Sequence, residues 1–269
     1  MLLFIIIILI IHLLFKKYIE KFNKNNIRFI HIGKTGGTYV NNIFKFKRYH
    51  HNNNFKINNE LYIIWLRNPI KRFVSAFYFS YSKINTNIYK YNNINKITLK
   101  NSLSPGGIKK KIKNNNNYMI SYRYDKLINF FKTPNFLAES LTSNNRYIKS
   151  LAYELMNHNS HHIYHSIGWY LWNGDFVKKH YNKIFFVGSQ ENMDNDIKYL
   201  ADKLNIKINN TDKIRENTNN YDKYLSKTAI QNIYNFYKDT DYKALKALLD
   251  YKFITKELYD SYFSYKINI

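Results

Sequence analysis

Apolar residues fall along this chain in blocks of different length and period. The first, residues 1–15 (MLLFIIIILIIHLLF), is unbroken except at His12 and closes on Lys16-Lys17. A spanning helix needs about 20 apolar residues, so this run reaches membrane length only if Tyr18 and Ile19 join it and the lysines snorkel. The expectation is a single-pass hydrophobic anchor over 1–19 and a short polar stem over 20–26. A cleaved signal peptide fits less well, because no basic residue precedes the run and no small-residue cleavage site follows it. Lysines just past the run favour a cytoplasmic domain by the positive-inside rule, whereas anchored enzymes of the secretory pathway face the lumen. The side of the membrane stays open.

Beyond the stem the blocks shorten and begin to alternate in type. Residues 27–32 (IRFIHI) form a compact apolar run that predicts a buried strand, and after a glycine loop Val40, Ile43 and Phe44 repeat at helical spacing. Residues 61–66 (LYIIWL) predict a second strand. Pro69 then suits the first turn of a helix over 69–82, whose Ile70, Phe73, Val74, Phe77 and Tyr81 share one face. Residues 83–117 are rich in Asn and Lys around Pro105-Gly106-Gly107 and predict an irregular excursion. Helical patterns return over 134–157 and 168–180. A third strand is expected over 183–188 (KIFFVG), then a helix over 192–204 with Asn192 as cap and Ile197, Leu200 and Leu204 facing inward. The last third, 224–237 and 242–251, is again helical. Strands alternating with helices predict an α/β fold with a central parallel β-sheet flanked by helices, in one domain over 27–269.

Composition changes this picture in two ways. Lys and Arg number 42 against 18 Asp and Glu, a net charge of +24, which attracts polyanions, acidic lipid surfaces and anionic small molecules without choosing among them. Many lysines stand singly among asparagines, a pattern closer to a solvated basic surface than to a dedicated polyanion groove. There is no cysteine, so disulfides, thiolate metal sites and cysteine nucleophiles are excluded together.

Candidate chemistry concentrates after the first two strands. Gly33-Lys34-Thr35-Gly36-Gly37-Thr38 has the parts of an anion cradle: glycines that let backbone N–H groups approach a ligand, a helix start with unpaired donors, and a lysine as point charge. An ATP-binding loop requires a glycine five residues before Gly33, but Arg28 stands there, and two further glycines follow where that loop should close. The second segment is Trp65-Leu66-Arg67-Asn68-Pro69-Ile70-Lys71-Arg72-Phe73-Val74-Ser75. Arg67 ends a strand, where open parallel sheets place ligands, and Ser75 lies two turns into the next helix.

In this order, each at a strand-to-helix junction, IHIGKTGGT and LRNPIKRFVSAF resemble the 5′-phosphosulfate loop and the 3′-phosphate motif of the sulfotransferases that use 3′-phosphoadenosine 5′-phosphosulfate (PAPS). The likeness is strongest to the Golgi-type carbohydrate O-sulfotransferases related to the heparan sulfate enzymes. It covers 27–82 well and 183–250 loosely, through FVGSQENMDNDIKYLADKL, and leaves 83–182 unmatched. The resemblance implies a P-loop NTPase-like sulfotransferase fold and PAPS as sulfuryl donor, with no metal. It implies that Gly33, Lys34, Thr35, Gly36, Gly37 and Thr38 hold the 5′ end, that Arg67 and Ser75 hold the 3′-phosphate, and that the acceptor is a hydroxyl, expected on a glycan. Arg72 also matches a family arginine, although its helical position equally suits pairing with a carboxylate. The lack of cysteine departs from secreted relatives and puts a luminal home in doubt.

Transfer to an alcohol needs a base near the acceptor hydroxyl. In relatives this is a histidine or a glutamate between the two motifs, which implies His51, His50 or Glu60, with His51 first. A second cluster, His158, His161, His162 and His165, has spacing that on a helix brings 158 to 162 and 161 to 165, a metal-like arrangement without a nearby carboxylate. Acceptor binding and a plain surface patch are its other readings. Arg215 is a further candidate donor contact. Two other functions compete: a nucleotide kinase, which needs a complete ATP loop, and a non-enzymatic basic membrane protein that binds polyanions, which explains charge but not two motifs in register.

Overall fold

The computed structural model describes residues 26–48, 60–84, 116–159, 161–208 and 221–265. Four parallel strands form its centre: β1 (Ile27–Ile30), β2 (Lys47–Arg48), β3 (Leu61–Leu66) and β4 (Ile184–Ser189), in the order β2-β1-β3-β4. Between β1 and β2 runs α1 (Gly37–Phe44), and β3 leads into α2 (Pro69–Tyr81). Between α2 and β4 the described residues form seven helical segments: α3 (Asn116–Phe131), α4 (Pro134–Ser140), α5 (Arg146–Met156), α6 (Ile167–Tyr170), a 3₁₀ turn (Trp172–Gly174), α7 (Asp175–His180) and a second 3₁₀ turn (Tyr181–Lys183). After β4 come α8 (Met193–Lys203), α9 (Lys227–Tyr237), a π-helical turn (Lys238–Tyr242), α10 (Lys243–Asp250) and α11 (Lys256–Ser261).

The period-2 geometry of strands sorts the sheet residues into two cores. Phe29, Ile63 and Trp65 join Val40 and Phe44 of α1 and Leu200 and Ala201 of α8 on one face. Ile30, Tyr62, Ile64 and Leu66 join the larger cluster built from α2 and from the helices before and after β4. Helices on both faces explain why these strands read as continuous apolar runs rather than as alternating ones. The α/β class and the central parallel sheet expected from the sequence are therefore present.

Local chemistry sets most element ends. The Asn68 side chain accepts from the N–H groups of Ile70 and Lys71 and Pro69 opens the helix, so α2 starts where the Asn-Pro pair dictates. The stretch 134–157, one helical pattern in the sequence, is two helices, because Asn145 caps a new start at Tyr147 and Ile148. Asn192 precedes α8 but does not cap it with its side chain: its Nδ2 donates to Asp196 instead. Helix α3 begins inside the tail of the excursion expected over 83–117. The expected anchor over 1–19 and nearly all of the stem lie outside the described residues, and among those described no helix is long and apolar enough to cross a membrane.

A buried ion pair ties the helical layer together. Arg72 on α2 and Asp241 in the π-helical turn are both 0% exposed, with Nε 3.8 Å from Oδ2. Arg72 Nη1 donates to the carbonyls of His162 (2.7 Å) and His165 (3.4 Å), and Asp241 Oδ1 accepts from the Gly168 N–H at 2.8 Å. Burial pushes the Asp241 carboxyl up from its usual range, opposed by the Arg72 charge. Breaking such a pair leaves one charge buried alone and costs about 3–5 kcal/mol, whereas replacing both partners with apolar groups is often neutral. Asp241→Ala is therefore expected to lower the thermal midpoint by roughly 10 °C, and Arg72→Met with Asp241→Leu to recover most of that loss, read by calorimetry. Equal destabilisation by the single and double variants would mean that packing rather than charge holds this region.

Candidate anion-binding site

The site lies at the carboxyl ends of β1, β3 and β4, where each strand stops and the chain turns. After β1 the loop 31–36 leads into α1. Gly36 takes φ +85°, and a Cβ there would lie 2.5 Å from Met193 Cε, so both conformation and space demand glycine. Tyr39 and Val40 donate the first backbone bonds of α1 to the Gly36 carbonyl, which leaves the N–H groups before them outside the helical ladder. At the start of the loop the Gly33 N–H faces the Tyr170 phenol, whose pKa burial raises while the Arg72 charge and this N–H oppose the rise.

Lys34 itself sits at φ +70°, in the left-handed region that lysine rarely adopts. Two contacts hold it there. Its carbonyl accepts from Arg67 Nη1 at 3.1 Å, and its Nζ lies 4.0 Å from the centroid of Phe79 on α2. The structure thus brings the two sequence motifs into direct hydrogen bonding across neighbouring strands. Ser75 lies on the half-exposed stripe of α2, one turn before Phe79, the ring that Lys34 covers. Of the loop residues Lys34, Gly36 and Thr38 are partly exposed, while Gly33, Thr35 and Gly37 are buried. The Thr35 hydroxyl is turned inward to the Ile32 carbonyl at 2.9 Å, so Thr35 has only its backbone N–H to offer a ligand.

Arg67 is half-buried, and burial lowers its pKa to about 10 despite the opposing charge of Glu191. Glu191 follows β4, takes the Asn68 N–H at 2.9 Å and lies 3.4 Å from the Tyr262 hydroxyl. The C-terminal segment closes over the same corner, where Asn68 Nδ2 donates to the carbonyls of Ser261 and Ser264. Glu191 and Tyr170 were not marked by the sequence, since their roles depend on contacts 123 and 137 residues from Asn68 and Gly33.

The base candidates separate. His50, His51 and Arg215 lie outside the described residues. Glu60 precedes β3 at the amino end of the sheet, paired with Arg28 at 2.5 Å, a strand of six residues or about 20 Å from the loop. It cannot serve a site at the carboxyl ends, because a strand runs straight through the sheet from one edge to the other. The second histidine cluster is not helical: 157–159 and 161–166 are turns and bends, with His158 and His161 both on Tyr124 and the other two rings on separate aromatic partners. His161 stacks on Tyr124 with centroids 3.8 Å apart, and His165 packs on Trp169 at 4.2 Å. Among the described residues no three His, Asp or Glu side chains converge as metal ligands. His162 alone reaches the loop: a Cβ on Gly33 would lie 2.3 Å from its Nδ1, and its ring centroid is 5.2 Å from that of Phe79. His31, at the end of β1, lies against Gly37 from the other side.

Loop N–H groups outside the helical ladder, the Lys34 ammonium and the Arg67 guanidinium are group types that bind anions, and a solvent groove lined by Leu141, Thr142, Tyr153, Asn232, Asn235 and Phe236 shares no residue with them. No family model, curated protein or solved structure matches this chain.

Burial is the first cause that lowers three histidines here, His31 and His161 to about 4 and His162 to about 3, with Lys34 adding to the effect at His31 and His162. Because the unfolded chain takes up these protons near pH 6.5 and the folded chain does not, stability is complete above that value and falls as pH drops through it towards the folded pKa. The thermal midpoint is expected to fall by about 5 °C or more between roughly pH 7 and 5, and His162→Gln to flatten that slope. A midpoint that stays constant over this interval would show that the imidazoles titrate as if in water.

Proposed function

We propose that this chain is a sulfotransferase that moves a sulfuryl group from PAPS to a hydroxyl, on a carbohydrate acceptor. The observation that carries the reading is the 3.1 Å hydrogen bond from Arg67 to the Lys34 carbonyl, which joins the two motifs at adjacent carboxyl strand ends. Gly33 to Thr38 would hold the 5′ end of the donor, through backbone N–H groups and the Lys34 ammonium, and Arg67 with Ser75 would hold the 3′-phosphate. The tight cradle at Gly36 and the donors left over at the start of α1 fit that assignment. The fold is then of the P-loop-like sulfotransferase kind, attached to a membrane through residues 1–19.

Bound PAPS supplies an activated sulfuryl group whose leaving phosphate develops negative charge. Lys34 would supply a fixed cation to that charge, and a cation met only as the charge develops lowers the barrier more than it tightens binding. Arg67 and Ser75 act at a distance from the reacting centre, where they bind and orient. Arg28, which stands in β1 where an ATP loop needs glycine, is engaged by Glu60, so the kinase reading gains no support.

The test is ligand-linked stability followed by turnover. Adenosine 3′,5′-bisphosphate at about 100 times its Kd is expected to stabilise the protein by about 2.7 kcal/mol, and ATP at the same concentration to do much less. Lys34→Ala should abolish transfer of labelled sulfate, while Arg67→Ala should weaken bisphosphate binding roughly 10- to 100-fold. Equal stabilisation by ATP, or full turnover in Lys34→Ala, would sink the assignment.

A further inference from the structure

We propose that His162 is the group that accepts the proton of the attacking hydroxyl, and that Arg72 and Asp241 are the residues that position it; this rests on the sulfuryl-transfer reading. Three observations carry it. The ring of His162 lies against the first residue of the loop, so close that a Cβ on Gly33 would meet it at 2.3 Å. It shares Phe79 with Lys34 and with Lys83 just after α2, whose Nζ atoms each lie 4.0 Å from that ring's centroid, so the imidazole and the loop ammonium meet on one aromatic ring. Its backbone is clamped at 2.7 Å by Arg72, a guanidinium without exposed surface that is held in turn by Asp241. Neither the metal-like spacing of the cluster nor a surface role accounts for one histidine of four being fixed over the loop.

In the step, a lone pair of the acceptor oxygen forms the new S–O bond while the bridging S–O bond to the 5′-phosphate breaks and leaves its electron pair on the phosphate oxygen. The hydroxyl proton passes to the unprotonated nitrogen of His162, and the imidazolium later returns it to solvent.

The groups that face His162 set when it can do this. Lys34 from the loop, Arg72 from α2 and His161 and His165 from its own segment all disfavour a positive imidazole, and burial does so most. An anion bound beside Lys34 offsets that positive field, so occupation of the donor site raises the proton affinity of His162. Without donor the imidazole is a poor base; with donor bound it becomes a competent one. After adenosine bisphosphate departs, Lys34 and Arg72 again expel the proton.

Residue-resolved hydrogen exchange at histidine C2, read by mass spectrometry on the full chain, tests this. Between about pH 5 and 8, His162 should show no titration alone and should titrate within that range when adenosine 3′,5′-bisphosphate saturates the protein. His162→Gln should keep bisphosphate stabilisation yet release labelled sulfate from PAPS to water about 100-fold more slowly than wild type. Arg72→Lys, whose ammonium does not reproduce the fork between two carbonyls, should keep bisphosphate stabilisation and lose the ligand-linked shift; Asp241→Asn, similar in shape, reports the same if the first variant does not fold. A His162 profile unmoved by a bisphosphate that does stabilise the protein overturns this inference alone, as does sulfate release at the wild-type rate in His162→Gln or none in wild type. Failure of the bisphosphate to stabilise the protein at all overturns the sulfotransferase reading beneath it.

Discussion

A guanidinium removed from water must be met by acceptors and by an opposite charge, or its burial costs several kcal/mol. Arg72 is in that position, and what satisfies it determines how distant parts of the chain lie. Its partners come from the turn at 162–165 and from the π-helical turn at 238–242, regions 90 to 169 residues away. Asp241 in turn caps the start of α6 through the Gly168 N–H. The extra residue per turn that defines a π-helix tends to appear at functional positions, and here it accompanies the inward placement of the carboxylate. One buried pair therefore couples α2, the histidine segment and the C-terminal helices.

The same helix that carries Arg72 inward presents Phe79 to Lys34 of the loop after β1. Two neighbouring arginines have thereby divided their labour: Arg67, at the strand end, reaches the Lys34 carbonyl, while Arg72 supports the segment that lies over Gly33. The left-handed backbone at Lys34 is a strained conformation held by tertiary contacts, and strain of this kind concentrates at binding sites. The field at the loop is positive, with Glu191 as the carboxylate that acts on Arg67. Neutral histidines around the loop add donors and acceptors without adding further positive charge.

Several elements were legible because their cause is local. Strand β3 and the start of α2 follow from LYIIWL and Asn-Pro, and the turn between β1 and α1 follows from glycines at a strand-to-helix junction. Other features had a misleading local signal. Leu141 to Asn145 interrupts a pattern that reads as one helix, and the histidines at helical spacing occupy a turn, because Tyr124, Phe79 and Trp169 each draw a ring to a different place. Glu60 looked close to the chemistry by number, yet a parallel strand carried it to the opposite edge of the sheet.

By itself, then, the sequence determined the α/β class, the parallel sheet and the glycine turn after β1, since periodicity, capping and glycine placement act within a few residues. Only the tertiary structure decided that Arg67 grips the Lys34 carbonyl, that Arg72 faces a buried carboxylate rather than solvent, and that His162 of four clustered histidines meets Gly33. Each of those outcomes depends on which helices pack on which face of the sheet, and that choice is set by the summed burial of dozens of side chains, which no short stretch of sequence contains.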